Sequence, residues 1–326
     1  MMPLQDVASF ALRRARLDTP QVFCARMLRL GILGLYSSGR ELRASGLRSA
    51  TACVRSVQGS DMWLNPKDVG ISTDLLLDGI REPLITKAFR SLLRKGDTVI
   101  DCGANIGYYA LQEAQAVGPT GRVHAIEPVT SNVRVLQSNI YLNGYNNVRV
   151  HYLAVGDGDR DDYINISTMS NMCSMVKKQG YRRYVDKLPV RVTSIDSFMD
   201  KYDVVPDVIR MDVEGYETEI VRGMGRLLKS GGPLRLFMEV HFDILLDAVL
   251  PMLRTLKEHG FGVTVATFEP HAAVRKSRLA YPVVRWLEGV MGASSGYLYL
   301  TIDDLLTRKE FRTGQVEDLE VIFERC

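Results

Sequence analysis

Several things are scarce in this sequence, and each absence excludes a class. The five cysteines (Cys24, Cys53, Cys102, Cys173 and Cys326) are odd in number and widely scattered. None is spaced CxxC, which argues against a zinc ribbon and a disulfide framework. No stretch approaches the roughly 18 uninterrupted apolar residues of a membrane helix. The start, MMPLQDVASFALRRARL, places its charges after a short apolar run and lacks a small-residue cleavage site, so it does not read as a secretory signal. No internal repeat is found. A net charge of +3 is too mild to argue for a nucleic-acid partner. Together these absences lead to the expectation of a soluble, cytoplasmic chain.

What is present is a globular composition, 46% apolar and 24% charged over 326 residues. That length suits one large α/β domain with appendages better than two domains. The charge is uneven. Residues 1–55 carry nine arginines against Asp6, Asp18 and Glu41, a local excess of six positive charges. Such an arm could touch an anionic membrane surface; the plainer reading is a helical arm packed on the main domain. The chain divides into a basic helical and β arm (1–80), a main domain (81–305) and a charged C-terminal tail (306–326).

From residue 97 onward β-rich runs alternate with helical patterns. DTVIDC (97–102), RVHAIE (122–127), VRVHYLAV (148–155), DVIRMDV (207–213) and LRLFMEVH (234–241) read as strands. Their apolar centres suit a parallel sheet covered on both faces. Helices are expected over 81–94, 107–117, 130–142, 216–229 and 243–259, and further strands over 262–267 and 297–302. Residues 52–77 read as a short β element ending in a loop, and 156–187 as a long polar loop. The alternation predicts an open doubly wound sheet that binds ligands at the carboxyl ends of its strands.

Four constellations carry chemistry. Asp101-Cys-Gly-Ala-Asn-Ile-Gly107 follows an apolar strand and precedes a helix, so Gly103 and Gly107 allow a tight turn and close approach to a ligand. A dinucleotide-type GxGxxG would need glycine where Asn105 and Tyr108 stand, which counts against NAD. Glu127 ends the second strand, where an acidic residue accepts from ribose hydroxyls. Asp212 and Glu214 end the fourth strand in RMDVEGYE, two carboxylates that repel unless a proton or cation is shared. Glu239 and His241 end the fifth, where an imidazole can take a proton near pH 7.

The run GISTDLLLDGIREPLITKAFRSLLRKGDTVIDCGANIGYYAL, followed by AIEP, AVGD, TSIDSF, IRMDVEGYETEIVRGM and FMEVH, resembles the FkbM family of S-adenosylmethionine (SAM)-dependent methyltransferases over about residues 60–265. The resemblance implies a Rossmann-like class I methyltransferase fold, a doubly wound, seven-stranded, mostly parallel sheet whose antiparallel strand falls within 262–267 and 297–302. It leaves the arm and the insert at 268–295 for specificity or homo-oligomer contacts. It implies that Asp101, Gly103, Ala104, Asn105, Gly107 and Tyr108 form the turn around the methionine part of SAM. Glu127, helped by Asn132, would bind the ribose; Val155 and Asp157 would flank the adenine; Glu82 would stand near the amino-acid end.

The reaction implied is in-line attack of a hydroxyl, on a sugar, glycan or small natural product, upon the sulfonium methyl. An alcohol needs a base, for which Asp212 and His241 are the candidates, with Glu214 and Glu239 orienting them. A divalent metal shared by these carboxylates is the less favoured arrangement. No nucleic-acid partner is expected. The rivals are N-methylation of protein or nucleic acid, against which DVEG stands where an Asn/Asp-Pro-Pro-Tyr/Phe tetrapeptide would serve, and a catalytically inactive SAM-binding scaffold.

Overall fold

A computed structural model describes residues 53–68, 70–176, 184–245, 248–267, 297–308, 311 and 318–326. The readings made for most of the basic arm and for the insert at 268–295 lie outside them.

The described chain begins with a hairpin, β1 (Cys53–Val57) and β2 (Ser60–Leu64), then α1 (Ile71–Asp78) and α2 (Pro83–Leu92). Next come β3 (Thr98–Cys102), α3 (Tyr108–Val117), β4 (Arg122–Ile126), α4 (Thr130–Leu142) and β5 (Val148–His151). Three strands, β6 (Ala154–Gly156), β7 (Arg160–Ser167) and β8 (Tyr184–Ser194), form a separate small sheet. After α5 (Ile195–Tyr202), the main sheet resumes with β9 (Val208–Met211), α6 (Glu217–Arg222), α7 (Gly225–Lys229) and β10 (Leu234–His241). The remainder comprises α8 (Phe242–Leu245), α9 (Val249–Glu258), β11 (Gly262–Thr267), β12 (Tyr297–Leu298), α10 (Ile302–Thr307) and β13 (Asp318–Arg325).

The main sheet runs β12-β11-β13-β10-β9-β3-β4-β5. From β10 to β5 every pairing is parallel, while β13 lies antiparallel between β10 and β11. This is the expected mostly parallel, seven-stranded sheet, extended at one edge by the two-residue β12. Strand alternation divides the core. Val99, Val123 and Val208 face one layer with Leu75, Phe89, Leu111 and Leu136; Ile100, Ile126 and Ile209 face the other with Phe198, Ile220 and Leu253. The chain leaves β3 in one direction for β4 and in the other for β9, so their carboxyl ends flank the topological switch point, where a crevice opens. Among the described residues, no helix is long and apolar enough to cross a membrane.

Several expectations are corrected. The supposed C-terminal tail at 306–326 contains β13, because its apolar residues alternate into both layers: Leu319, Val321 and Phe323 into one, Ile322 into the other. Its charges misled: Glu320 is buried and accepts a hydrogen bond from Thr267 Oγ1 at 2.8 Å. The antiparallel member of the seven strands is therefore β13, and the strand expected over 297–302 shrinks to the two-residue β12, antiparallel to β11, before the Thr301–Asp304 capping box starts α10. The loop expected over 156–187 holds β7 and the start of β8. The strand expected over 148–155 breaks after His151, and Ala154–Gly156 joins the small sheet. The helix expected over 216–229 is two short helices, and α1 replaces part of the loop expected before residue 77. The arm's own residues Leu64 and Ile71 share the core of the main domain.

Candidate functional site

The cleft at the switch point encloses about 820 Å3 of space between side chains, counting the part open to solvent. Its floor is the turn after β3. Gly103 has φ +89°, and a Cβ there would stand 2.1 Å from the Asp212 carbonyl oxygen, so only glycine lets the two strand ends meet. Asn105, at φ +50°, takes the left-handed conformation that asparagine tolerates best among side-chain-bearing residues. The amides of the turn are already used. Gly103 and Ala104 N–H donate to Ile126 O at 3.0 Å, Asn105 N–H to Glu127 Oε2 at 2.9 Å, and Ile106 N–H to Asn105 Oδ1 at 2.8 Å. A phosphate would find few free donors there, in keeping with the absence of the dinucleotide glycines.

Glu127, at the end of β4, is 4% exposed. Besides Asn105 N–H, its carboxylate accepts from Val129 N–H at 2.9 Å and from Asn132 Nδ2 at 3.3 Å. Burial raises its pKa to about 7, against the opposing pull of these donors. Three donors occupy a group with about four acceptor positions, so capacity remains for a ligand hydroxyl. Leu153, Ala154, Val155 and Ile164 make an apolar wall from the small sheet side. A strap over 170–175 closes that side: Ser170 O accepts from Asn105 Nδ2 at 3.1 Å and Asn132 Nδ2 at 3.3 Å, and Ser170 Oγ donates to Asp68 Oδ2 at 2.8 Å.

The other end of the cleft is charged. Asp212 lines it and pairs with Arg210 Nη2 at 2.8 Å. Burial would raise the Asp212 carboxyl, but Arg210 and Arg81, a hydrogen bond from Glu239 and the nearby His241 outweigh it and hold it below the usual range. Glu239 behaves oppositely: burial and then the Asp212 charge push its carboxyl well above the usual range, against the opposing pull of His241. His241 Nδ1 stands 3.0 Å from Glu217 Oε1, and Nε2 stands 3.4 Å from Glu214 Oε2 and 3.8 Å from Glu239 Oε1. Burial disfavours the imidazolium, yet Glu217 and Glu239, with hydrogen bonds to Glu214 and Glu217, raise it well above its ordinary 6.5. These neighbours favour the imidazolium, which works against the expected use of His241 as a base. Among the described residues no cluster of three or more ligating side chains is arranged to hold a metal ion.

Of the residues singled out from sequence, Gly103, Ala104, Asn105, Tyr108, Glu127, Asn132, Val155, Asp212 and Glu214 line this one cleft. Gly107 lies behind it, where its missing side chain makes room for Leu136. Asp101 is wholly buried beneath it against Arg210 Nη1 at 2.9 Å. Glu239 and His241 sit behind Asp212 and Glu214. Glu214 reaches His241 although the strand does not stay extended to it: β9 stops at Met211 and Glu214 has φ +58°. Asp157 is not brought in. It is half exposed and paired with Arg160, because the strand that was to deliver it belongs to the small sheet. Glu82 also stays outside the lining, as the N-cap of α2 bonded to Arg81 and accepting from Tyr109 OH at 2.9 Å.

Three residues escaped the sequence reading. Arg81 lines the cleft. Arg210 stands inside an apolar strand, itself a signal, since a buried cation is costly unless paired. Glu217 looked like an ordinary acidic helix start, yet it is fully buried and accepts from both Gly215 N–H at 3.1 Å and His241.

Comparison with known proteins agrees with this geometry. A 68-residue stretch, 21% of this chain, is 40% identical to the protein-L-isoaspartate O-methyltransferase of Ignicoccus hospitalis and covers 31% of that protein. Another 68-residue match, at 37% identity, covers 30% of protein-L-isoaspartate O-methyltransferase 2 of Archaeoglobus fulgidus. The matches thus span less than a third of these curated relatives. Among solved structures, a putative rRNA-methylase from Clostridium thermocellum is 11% identical, covering 74% of this chain and 94% of its own at a TM-score of 0.41. M. jannaschii TYW2 in complex with AdoMet is 15% identical, covering 85% and 88% at a TM-score of 0.38. The pattern of the methyltransferase FkbM domain matches residues 101–263, from the acid of the cofactor turn to the start of β11. The chain belongs to the FkbM methyltransferase family.

Proposed function

We propose that this protein transfers the methyl group of SAM to a hydroxyl oxygen of a sugar, glycan or small polyol-like molecule. The observation that carries the reading is the pairing, in one cleft, of a buried diol acceptor, Glu127, with a carboxylate kept ionised beside it, Asp212. The residues fit the cofactor. Glu127, helped by Asn132, would hold the ribose hydroxyls, Leu153, Val155 and Ile164 the adenine, and Arg81 with the Asp101–Asn105 turn the methionine part. When bound, SAM supplies an activated methyl on a sulfonium, so alignment does most of the work.

Asp212 takes the hydroxyl's hydrogen bond and holds its proton as the oxygen loses it. Its low basicity suits a proton that leaves late, and Glu239, which donates to Asp212, and His241 sit behind it. Two carboxylates on the lining, Asp212 and Glu214, accept from neutral hydroxyls and repel phosphate groups, which favours a polyol over a nucleic acid. The DVEG that follows β9 and the oxygen-methylating relatives named above support oxygen over nitrogen.

The test is calorimetry with SAM and S-adenosylhomocysteine, followed by transfer of radiolabel from SAM into a glycan and metabolite extract. Label in an alkali-stable, neutral product is expected, as for a methyl ether. Label in amines or nucleic acid, or no binding of either ligand, would overturn the proposal.

A further inference from the structure

The Arg210 side chain is 4% exposed and joins parts that the topology brings from two strands and a helix. The parallel register of β3 and β9 sets Arg210 directly beside Asp101, and alternation puts Asp212 two residues on, toward the same side. Its fork is filled at both tips. Nη1 donates to Asp101 Oδ1 at 2.9 Å and lies 3.5 Å from Gly103 O, while Nη2 donates to Asp212 Oδ2 at 2.8 Å. The guanidinium plane lies over the Tyr109 ring at 4.0 Å, with Phe237 at 5.5 Å. A planar, rigid cation so packed has little freedom to turn, and both carboxylates take their places from it. Asp101 and Gly103 belong to the cofactor turn, whereas Asp212 reaches the cleft from the other side of the switch point.

We infer that Arg210 is a positioning residue, a buried fork that aims the Asp212 carboxylate at the acceptor and keeps it in register with the cofactor turn. It touches neither acceptor nor cofactor in this role; it acts through Asp212. A lysine could neutralise the charge but could not donate to both carboxylates in fixed geometry. The inference rests on reading the cleft as a methyl-transfer site. The groups facing Asp212 are Arg210 on its own strand, Asp101 from β3, Arg81 from the segment before α2, and Glu239 and His241 from β10. Of these, Arg210 has the largest attraction for the Asp212 charge, ahead of Arg81.

Arg210→Lys and Arg210→Met, made in the full chain, separate this from a purely structural role. Carbon-13 NMR of the labelled aspartate carboxyls, without any cofactor, reads the Asp212 titration, assigned with Asp212→Asn. The midpoint should rise by about one pH unit or more in Arg210→Met, and by less in Arg210→Lys, as expected when a close opposite charge is removed. In turnover on the extract, Arg210→Lys should lower kcat by about tenfold or more while S-adenosylhomocysteine affinity stays within about threefold, the signature of an interaction used in the transition state. An unmoved Asp212 midpoint in Arg210→Lys and Arg210→Met, or an Arg210→Lys protein with wild-type kcat, would overturn the inference. If Arg210→Met fails to fold, Arg210→Lys and its NMR titration still decide. A wild-type chain that binds neither SAM nor S-adenosylhomocysteine would sink the cofactor reading alone, because the titration needs no ligand.

Discussion

If Glu127 holds the ribose diol as proposed, cofactor affinity depends on pH, and the size of the effect can be worked out. Burial lifts its carboxyl from an ordinary 4.5 to about 7. A ribose diol is best held by the ionised form, whose hydrogen bonds are charge-assisted. The proton must therefore leave before the ligand is held at full strength. One unit below the pKa this costs about 1.4 kcal/mol, so SAM affinity should weaken about tenfold from pH 8 to pH 6. Isothermal titration calorimetry at half-unit steps measures it directly. Glu127→Gln should bind about 1–3 kcal/mol more weakly at pH 8 and show no such slope, and it corrects for ionisation of the ligand itself. The same carboxyl affects folding. A folded-state pKa above the unfolded one means that the folded chain holds more protons between pH 4.5 and 7. Stability from this group is therefore highest at low pH and falls by up to about 3 kcal/mol as pH rises through 7. A ligand of this site offsets part of that loss. Wild-type affinity that is flat from pH 6 to 8, or Glu127→Gln binding as tightly as wild type at pH 8, would refute the assignment of Glu127 to the diol.

Three further outcomes are expected. Gly103→Ala places a methyl 2.1 Å from the Asp212 carbonyl on a left-handed residue, so thermal unfolding should show about 2–4 kcal/mol of destabilisation, with SAM binding lost even in the folded fraction. The buried His124–His151 pair, with ring nitrogens 3.1 Å apart, is held neutral by burial, each pKa lowered to about 4 by desolvation and by neighbouring basic groups. Its stability is present above pH 6.5 and lost as pH falls toward 4, so replacing His151 with Phe should shallow the acid limb of a melting profile by a few kcal/mol at most, which circular dichroism can follow. Glu217→Gln removes the largest charge that favours the His241 imidazolium, and imidazole NMR should show its titration moving down, whereas an unmoved His241 would mean that Glu239 and Glu214 suffice.

Much of the fold was legible because its signals are local. Short, mostly apolar runs such as VIRM and TVIDC, bounded by turn residues, suit strands covered on both faces, and the glycines at 103 and 107 punctuate a strand-to-helix turn. Glu127 followed from its distance along the chain, since two parallel neighbours joined by one helix bring their carboxyl ends together. The sequence by itself thus determined the parallel part of the sheet, the switch point and the glycine turn after β3. Tertiary structure alone decided the rest, because the deciding energies are non-local. DLEVIFER reads as a charged tail until β10 and β11 flank it. Asp157 reads as a cleft residue until the strand ends at His151 and Arg160 pairs with Asp157. Above all, protonation belongs to neighbours rather than to residue type. His241 is a base by composition, but Glu214, Glu217 and Glu239 converge on it from two separate segments and favour its protonated form. Asp212 and Glu239 are both carboxyls, and the positions of Arg210 and Arg81 beside Asp212 shift them in opposite directions. Coulomb energies depend on separation in space, and no spacing along the chain records that distance.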